Sequence, residues 1–425
     1  MIGKLLHGTA VAALFATSSA LAETTAITGA TVWSGTSDSP LENAVVIMVD
    51  GEISALGDMT LAIPEDATLI EAGGKWITPG IFSPFSQTGL VEVNAEASTN
   101  DTVAAEAKYS VALDAADGFN PSATAIAVTR LEGVTRMAVV PSAGKTLFAG
   151  QGLIADTSGA ANSVNEAQAF QYIVLGEGGA ALSGGSRPAA WATLRAALDD
   201  ARSFTRRYLG SSEGGALNRV DAEALVPAAR GRQLMLVQVH RASDIRQLLT
   251  FMEEFSDLDI AIVGANEGWL VADELAAAGV PVIIDPFDNL PASFEQLGAT
   301  SRNAERLIAA GVKTSFAHLG QNSHQARLAL QSAGNAVAAG VDPADAIRAI
   351  TSAPADLFGF DDLGRLEVGA TADLVIWDGD PLEVTSAPEA VYINGEAQPM
   401  ESRQTKLRDR YISLDETDLP LAYRK

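Results

Sequence analysis

Hydrophobic and polar positions follow two different grammars along this chain. From residue 26 to residue 77 the apolar residues come in short β-type runs separated by turn residues. The run 44–49 is continuously apolar and stops at Asp50-Gly51, a strong hairpin signal, with residues 52–57 as the returning strand. The far end of the chain has the same pattern, since 372–377 leads into Asp378-Gly379 and 390–393 leads into Asn394-Gly395. Two β regions so distant in sequence are expected to pair into one small domain.

Between them the pattern changes to strand, helix, strand. Residues 76–82, 136–140, 172–176, 234–240, 260–264, 280–285 and 313–316 are short apolar runs rich in β-branched residues. Most are followed by amphipathic stretches. Ser243 is placed to cap a helix reaching Phe255, with Ile245, Leu248, Leu249 and Met252 on one face. Residues 269–278 and 345–357 show the same helical period, and the Gly- and Ser-rich run 178–185 reads as a loop. The alternation predicts a parallel sheet wrapped by helices, and its length suits a (β/α)8 TIM-like barrel of about 250 residues.

Composition removes whole classes of chemistry. The chain has no cysteine, which excludes disulfides, thiol catalysis and Cys-ligated metal clusters. A net charge of −25 repels phosphate backbones, so nucleic acid is not an expected partner. The first 22 residues have Lys4, an apolar run over 9–16 and Ala20-Leu21-Ala22, the layout of a secretory signal peptide. That run is too short and too serine-rich for a membrane span. The expected localisation is periplasmic or secreted.

The landmarks together resemble the amidohydrolase superfamily. Ile27-Thr28-Gly29-Ala30-Thr31-Val32-Trp33 and Asp50-Gly51-Glu52-Ile53 look like its first β unit, and Gly73-Gly74-Lys75-Trp76-Ile77-Thr78-Pro79-Gly80 is similar to its entry into the first barrel strand. Thr351-Ser352-Ala353-Pro354-Ala355, Gly364-Arg365-Leu366 with Ala372-Asp373-Leu374-Val375, and Asn394-Gly395 look like its closing signature. Within the superfamily, the chain looks most like the imidazolonepropionase-like and exported dipeptidase-like members. With the signal segment over 1–22 and a polar tail over 401–425 set aside, the resemblance implies a small β-sandwich domain composed of both termini (23–78 plus 365–400) and a (β/α)8 barrel over 79–364. It also implies hydrolysis of C–N bonds by metal-activated water.

The residues depart from that family where the metal should be held. A His-x-His pair is expected a few residues after Pro79-Gly80, and its two positions fall on Phe85 and Gln87. Phenylalanine cannot coordinate a cation, and an amide oxygen is a poor substitute for imidazole on zinc. Beyond residue 22 the histidines are His240, His318 and His324. His240 ends a barrel strand and matches the family's fifth-strand histidine, and Glu177 resembles the glutamate of a Gly-Glu motif. The sixth-strand histidine and the eighth-strand aspartate have no counterpart. His240 is open to two roles, a rim hydrogen bond or catalysis. Glu177 is either a solvated carboxylate or a ligand, and His318 either a surface residue or a base replacing the missing aspartate. Asp285 and Asp288 are available for recruitment.

Two functions follow. One is an exported hydrolase acting on a small amide or peptide-like substrate, with no metal or a single weakly held divalent metal on Glu177 and His240, zinc foremost. The other is a non-catalytic relative that binds a small ligand or serves an assembly, a homo-oligomer included. The export reading has a direct test. Mass spectrometry of the exported protein should show a chain that starts at Glu23, and retention of Lys4 would defeat it.

Overall fold

The structure is a computed structural model whose described residues are 24–208, 215–319 and 325–412. The signal segment, His324 and the end of the tail lie outside them. The strands are β1 (Thr24–Val32), β2 (Leu41–Val49), β3 (Glu52–Asp58), β4 (Thr68–Glu71), β5 (Trp76–Pro79), β6 (Ile81–Ser86), β7 (Val134–Val139), β8 (Phe148–Asp156), β9 (Val164–Val174), β10 (Leu234–Val239), β11 (Ile260–Gly264), β12 (Val282–Ile284), β13 (Thr314–Phe316), β14 (Leu374–Trp377), β15 (Pro388–Ile393) and β16 (Glu396–Ala397).

The first and last strands share one sheet in the order β16-β15-β14-β5-β1-β2-β3, with β4 also on β1. The lower half of β1 pairs β4 and its upper half pairs β5, so the sheet turns about β1 and its two arms enclose a common core of Ile27, Val46, Ile53, Ile77, Leu374 and Ile376. Two of the three predicted turns, Asp50-Gly51 and Asn394-Gly395, form tight hairpins here, whereas Asp378-Gly379 opens the longer connection 378–387 between β14 and β15. Asp50 and Gly51 have φ of 50° and 87°, Asn394 and Gly395 have 53° and 76°. Positive φ at both central positions is what a type I′ turn requires, and Asn-Gly and Asp-Gly supply it with least strain. The two tips meet: a Cβ on Gly51 would lie 2.8 Å from the Asn394 carbonyl oxygen.

The second sheet runs β13-β12-β11-β10-β9-β8-β7-β6, and β13 lies against β6, giving a TIM-like barrel. Its interior holds Phe82, Phe170, Tyr172, Leu236, Val263 and Ile283. Alternate residues such as Ile173, Val237 and Ile262 face outward onto helical Leu194, Leu248 and Phe251. The expectation of an all-parallel sheet fails at β8, which runs antiparallel to both β7 and β9. The reason is chain length. Residues 140–147 and 157–163 are too short for crossover connections, which take a dozen residues or more.

Three helical expectations also need correction. The run 178–185 is largely helical, within Gly176–Leu182, and Gly179 is there because a Cβ would lie 2.4 Å from the Val174 carbonyl oxygen. Ser243 is not a cap: the helix Ala242–Glu254 begins one residue earlier, and Glu267 accepts the Ala242 N–H instead. The stretch 345–357 is two helices, Pro343–Ile350 and Ser352–Leu357, broken at Thr351. In the tail, Arg403–Ile412 is a helix that buries no residue. No helix among the described residues is long and apolar enough to cross a membrane.

Barrel and sheet domain are joined through Arg136 on β7, which is 5% exposed. Its Nε donates to Asp373 Oδ2 at 2.7 Å and Nη2 to Asp373 Oδ1 at 3.1 Å, while Nη2 also reaches Asn394 Oδ1 at 2.6 Å. Burial alone would lower the guanidinium's pKa, but the Asp373 carboxylate raises it above its ordinary value. Replacing Arg136 with Met strands that carboxylate in the interior. The variant should lose about 3–5 kcal/mol of stability, and Asp373→Leu added to it should restore a large part. Urea unfolding of the two variants checks this, and a Met variant as stable as the parent would contradict the assignment.

Candidate active site

His240 follows β10 directly, at the rim where barrel enzymes carry their functional groups. It is 7% exposed and sits in a chain of side-chain hydrogen bonds. The Tyr172 hydroxyl donates to Gln238 Oε1 at 2.9 Å, and Gln238 Nε2 lies 3.1 Å from His240 Nε2. On the other side, His240 Nδ1 contacts Asn266 Oδ1, which also accepts from Gln296 Nε2 at 3.3 Å. Asn266 Nδ2 donates to Asp288 Oδ2 at 3.2 Å.

The backbone makes this possible. Gly264 and Ala265 have φ of 100° and 41°, so the chain turns sharply as it leaves β11 and delivers Asn266 to the imidazole. A left-handed alanine costs about 1–2 kcal/mol, a cost that the surrounding packing must offset. A Cβ on Gly264 would lie 2.4 Å from His240 Cε1, so only glycine leaves room for the ring.

Phe85 belongs to the same neighbourhood. Its ring meets Tyr172 edge-on with centroids 5.5 Å apart, both packed in the barrel interior. Burial pushes the Tyr172 phenol well above its ordinary pKa, so its hydroxyl keeps its proton. Gln87 is engaged elsewhere, donating from Nε2 to Ser142 Oγ at 2.7 Å.

Glu177 stands in the first turn of the helix Gly176–Leu182, 3.9 Å from Arg187. Arg187 is shared with Asp244 at 2.8 Å and Glu295 at 3.3 Å, and Glu295 accepts the Glu177 N–H at 2.7 Å. Glu177 makes no hydrogen bond or ion pair with His240.

His318, just beyond β13, meets Asp285, just beyond β12. Asp285 Oδ2 lies 3.1 Å from His318 Nδ1. The carboxylate is itself held by two backbone donors, Phe287 N at 2.9 Å and Leu319 N at 3.0 Å. The Asp285 contact raises the imidazole above its ordinary 6.5; burial opposes this, and the charges of Asp285 and Asp288 add to it. The Phe287 ring covers one edge of the imidazole at 6.0 Å. The side chain remains 21% exposed.

A divalent ion is the cofactor that the family resemblance implies, and catalytic zinc takes about three protein donors. The side chains present do not supply them. Phe85 has no donor, Gln87 is bound to Ser142, Glu177 leans on Arg187, and both His240 nitrogens face amides. Among the described residues no three His, Cys, Asp or Glu side chains gather into a metal-binding group. As arranged, this donor set does not fit zinc.

Sequence reasoning missed Tyr172, Gln238, Asn266 and Gln296 as partners of His240. One signal was available. Gln238 is a polar residue two positions before His240 in an otherwise apolar strand, and strand residues two apart share a face.

Comparison with known proteins agrees with the architecture. Residues 237–401 match the model of the amidohydrolase family. The amidohydrolase tasK of Hapsidospora irregularis is 25% identical over 399 residues, covering 86% of this chain, which spans only 40% of that relative's length. The structure of an amidohydrolase from Thermotoga maritima MSB8 superposes with a TM-score of 0.78 at 24% identity, covering 88% of this chain and 98% of that one. A Xaa-Pro dipeptidase with bound methionine in its active site superposes with a TM-score of 0.53 at 16% identity, over 88% of this chain and 99% of that one. By its motifs, its barrel and these matches, the chain is similar to the amidohydrolase superfamily, with the family-model match lying over residues 237–401.

Proposed function

We propose that the barrel mouth hydrolyses the C–N bond of a small amide or peptide-like substrate, with His318 as its acid–base residue and Asp285 as the group that orients it. One observation carries this reading: His318 Nδ1 lies 3.1 Å from a carboxylate fixed by two backbone N–H groups, an ion-pair contact off the line of a hydrogen bond, at the rim of two adjacent barrel strands. Nε2 of the same ring has no hydrogen bond or ion pair to a described residue. Neutral His318 would take a proton from a water molecule through Nε2 as the water attacks the amide carbonyl. It would then return the proton to the departing amine, while Asp285 stabilises the imidazolium between the two steps. The match to the amidohydrolase family over residues 237–401 and the fold shared with a dipeptidase support a C–N substrate. The signal-like first segment supports work outside the cytoplasm, in the periplasm or beyond.

A second reading, ligand binding without turnover, is favoured by the enclosed state of His240 and by the Phe85–Tyr172 packing at the positions of the family's metal ligands. Assay against dipeptides, cyclic amides and ureas separates the two. On the hydrolase reading His318→Ala lowers kcat/KM by about 10²–10⁴-fold. Binding of these compounds with no turnover by the parent protein would replace the first reading with the second.

The pH profile adds an independent check. A base must be neutral, so activity should rise through the raised pKa of His318, and the acid limb should lie above 6.5. Asp285→Asn removes the charge and should move that limb to lower pH while slowing the reaction. The linkage to stability has the opposite sense. Because the folded pKa is raised, the His318–Asp285 pair stabilises fully below the unfolded value and loses its contribution as pH rises through the folded one. An acid limb that stays put in the Asn variant would detach His318 from the rate.

A further inference from the structure

We infer that Asp288, acting through Asn266, fixes His240 as the Nδ1-protonated neutral imidazole, and that the Gln238 amide N–H occupies the Nε2 lone pair with which such a histidine would bind a metal. The inference does not depend on whether His318 turns over substrate. It follows from the direction of each hydrogen bond in the chain. Asp288 presents only acceptors to Asn266, its carboxylate oxygen at 3.2 Å and its main-chain oxygen at 3.4 Å. Asn266 must therefore turn Nδ2 toward Asp288, which leaves Oδ1 facing His240. Gln296 reinforces this orientation by donating to the same Oδ1.

An oxygen opposite Nδ1 demands a proton on Nδ1. In the neutral ring Nε2 is then an acceptor, and Gln238 must offer it Nε2–H. Gln238 Oε1 is left to accept from Tyr172, whose buried phenol stays protonated and donates. The acceptor-only carboxylate fixes the direction of the chain from one end, and for a neutral ring only one arrangement then satisfies every member. An imidazole that offers Nδ1–H to an oxygen is oriented as a metal-bound histidine is, with the other nitrogen aimed at the ion. Here an amide occupies that direction. Gln238 and Asn266 are in this sense positioning residues that make His240 part of the rim's framework.

Long-range ¹H–¹⁵N NMR of ¹⁵N-histidine-labelled protein at neutral pH reads the arrangement directly, with His240 assigned by its absence from His240→Gln. The expected spectrum shows a protonated Nδ1 and a bare Nε2 for this residue. A proton on Nε2 alone, or on both nitrogens, would overturn the inference. Gln238→Glu supplies a second readout, because a carboxylate opposite Nε2 calls for a proton there. In that variant, once circular dichroism shows it folded, both nitrogens should report as protonated. A folded Glu variant with an unchanged His240 spectrum would mean that residue 238 does not face Nε2. Asn266→Asp is the control at the other end: it keeps an oxygen on Nδ1 and should preserve the Nδ1 proton, and loss of that proton would count against the chain as drawn.

Discussion

A buried guanidinium holds the two halves of this molecule in register. Arg136 lies on the second barrel strand, yet its partners Asp373 and Asn394 belong to the terminal sheet. Asp373 is fully committed: its side chain also accepts the Asn394 N–H at 2.8 Å and its carbonyl accepts the Gly80 N–H at 2.8 Å, at the junction of β5 and β6. One aspartate thereby ties the closing segment of the chain to the start of the barrel. Paired charges of this kind are strongly destabilising to break, because the survivor is left in a low-dielectric interior. The position of β6 and β7, and with them Phe85 and the floor of the site, depends on this contact.

The rim carries two histidines under different constraints. His240 is enclosed, with amides on both nitrogens and a glycine cleared beneath its ring. His318 has one nitrogen 3.1 Å from a carboxylate and the other without a hydrogen bond or ion pair to a described residue. Asp288 stands between them, bonded to Asn266 on the side of His240 and acting by charge on His318. His240, at the position where the resemblance implies a metal ligand, is held by amides on both nitrogens, while the His318–Asp285 pair lies just beyond the seventh and eighth barrel strands.

Much of the fold was legible because local rules and tertiary structure agree. Asp50-Gly51 and Asn394-Gly395 form type I′ turns from local preference, and the mainly apolar runs at 234–240 and 260–264 mark buried strands. β8 escaped notice because Gly150, Gln151 and Gly152 dilute its apolar pattern. Those glycines answer to packing from afar: a Cβ on Gly152 would lie 2.0 Å from the Phe170 ring. The site was legible only in part. His240, His318, Asp285 and Asp288 stand out by residue type, but their pairings do not, since Tyr172 and Gln238 are 66 positions apart and His318 reaches back across a whole strand unit to Asp285. Nor does sequence show that Glu177 is claimed by Arg187.

The reversed direction of β8 has a consequence for how this barrel can vary. With hairpin-length joints on both of its ends, no crossover helix covers the outer wall between β7 and β9. That wall is covered instead by the long segment after β6, where Leu90, Ala115, Phe119, Ala123 and Ile126 pack on Met137, Val139, Leu153 and Ala155. The same segment also pairs with the strand itself, the Gln151 N–H donating to the Leu113 carbonyl at 2.7 Å. The first connection and the third strand therefore form a single packing unit. The one can be shortened only if a helix is supplied to the other, and replacing either alone by the arrangement of an all-parallel barrel would leave a bare apolar wall.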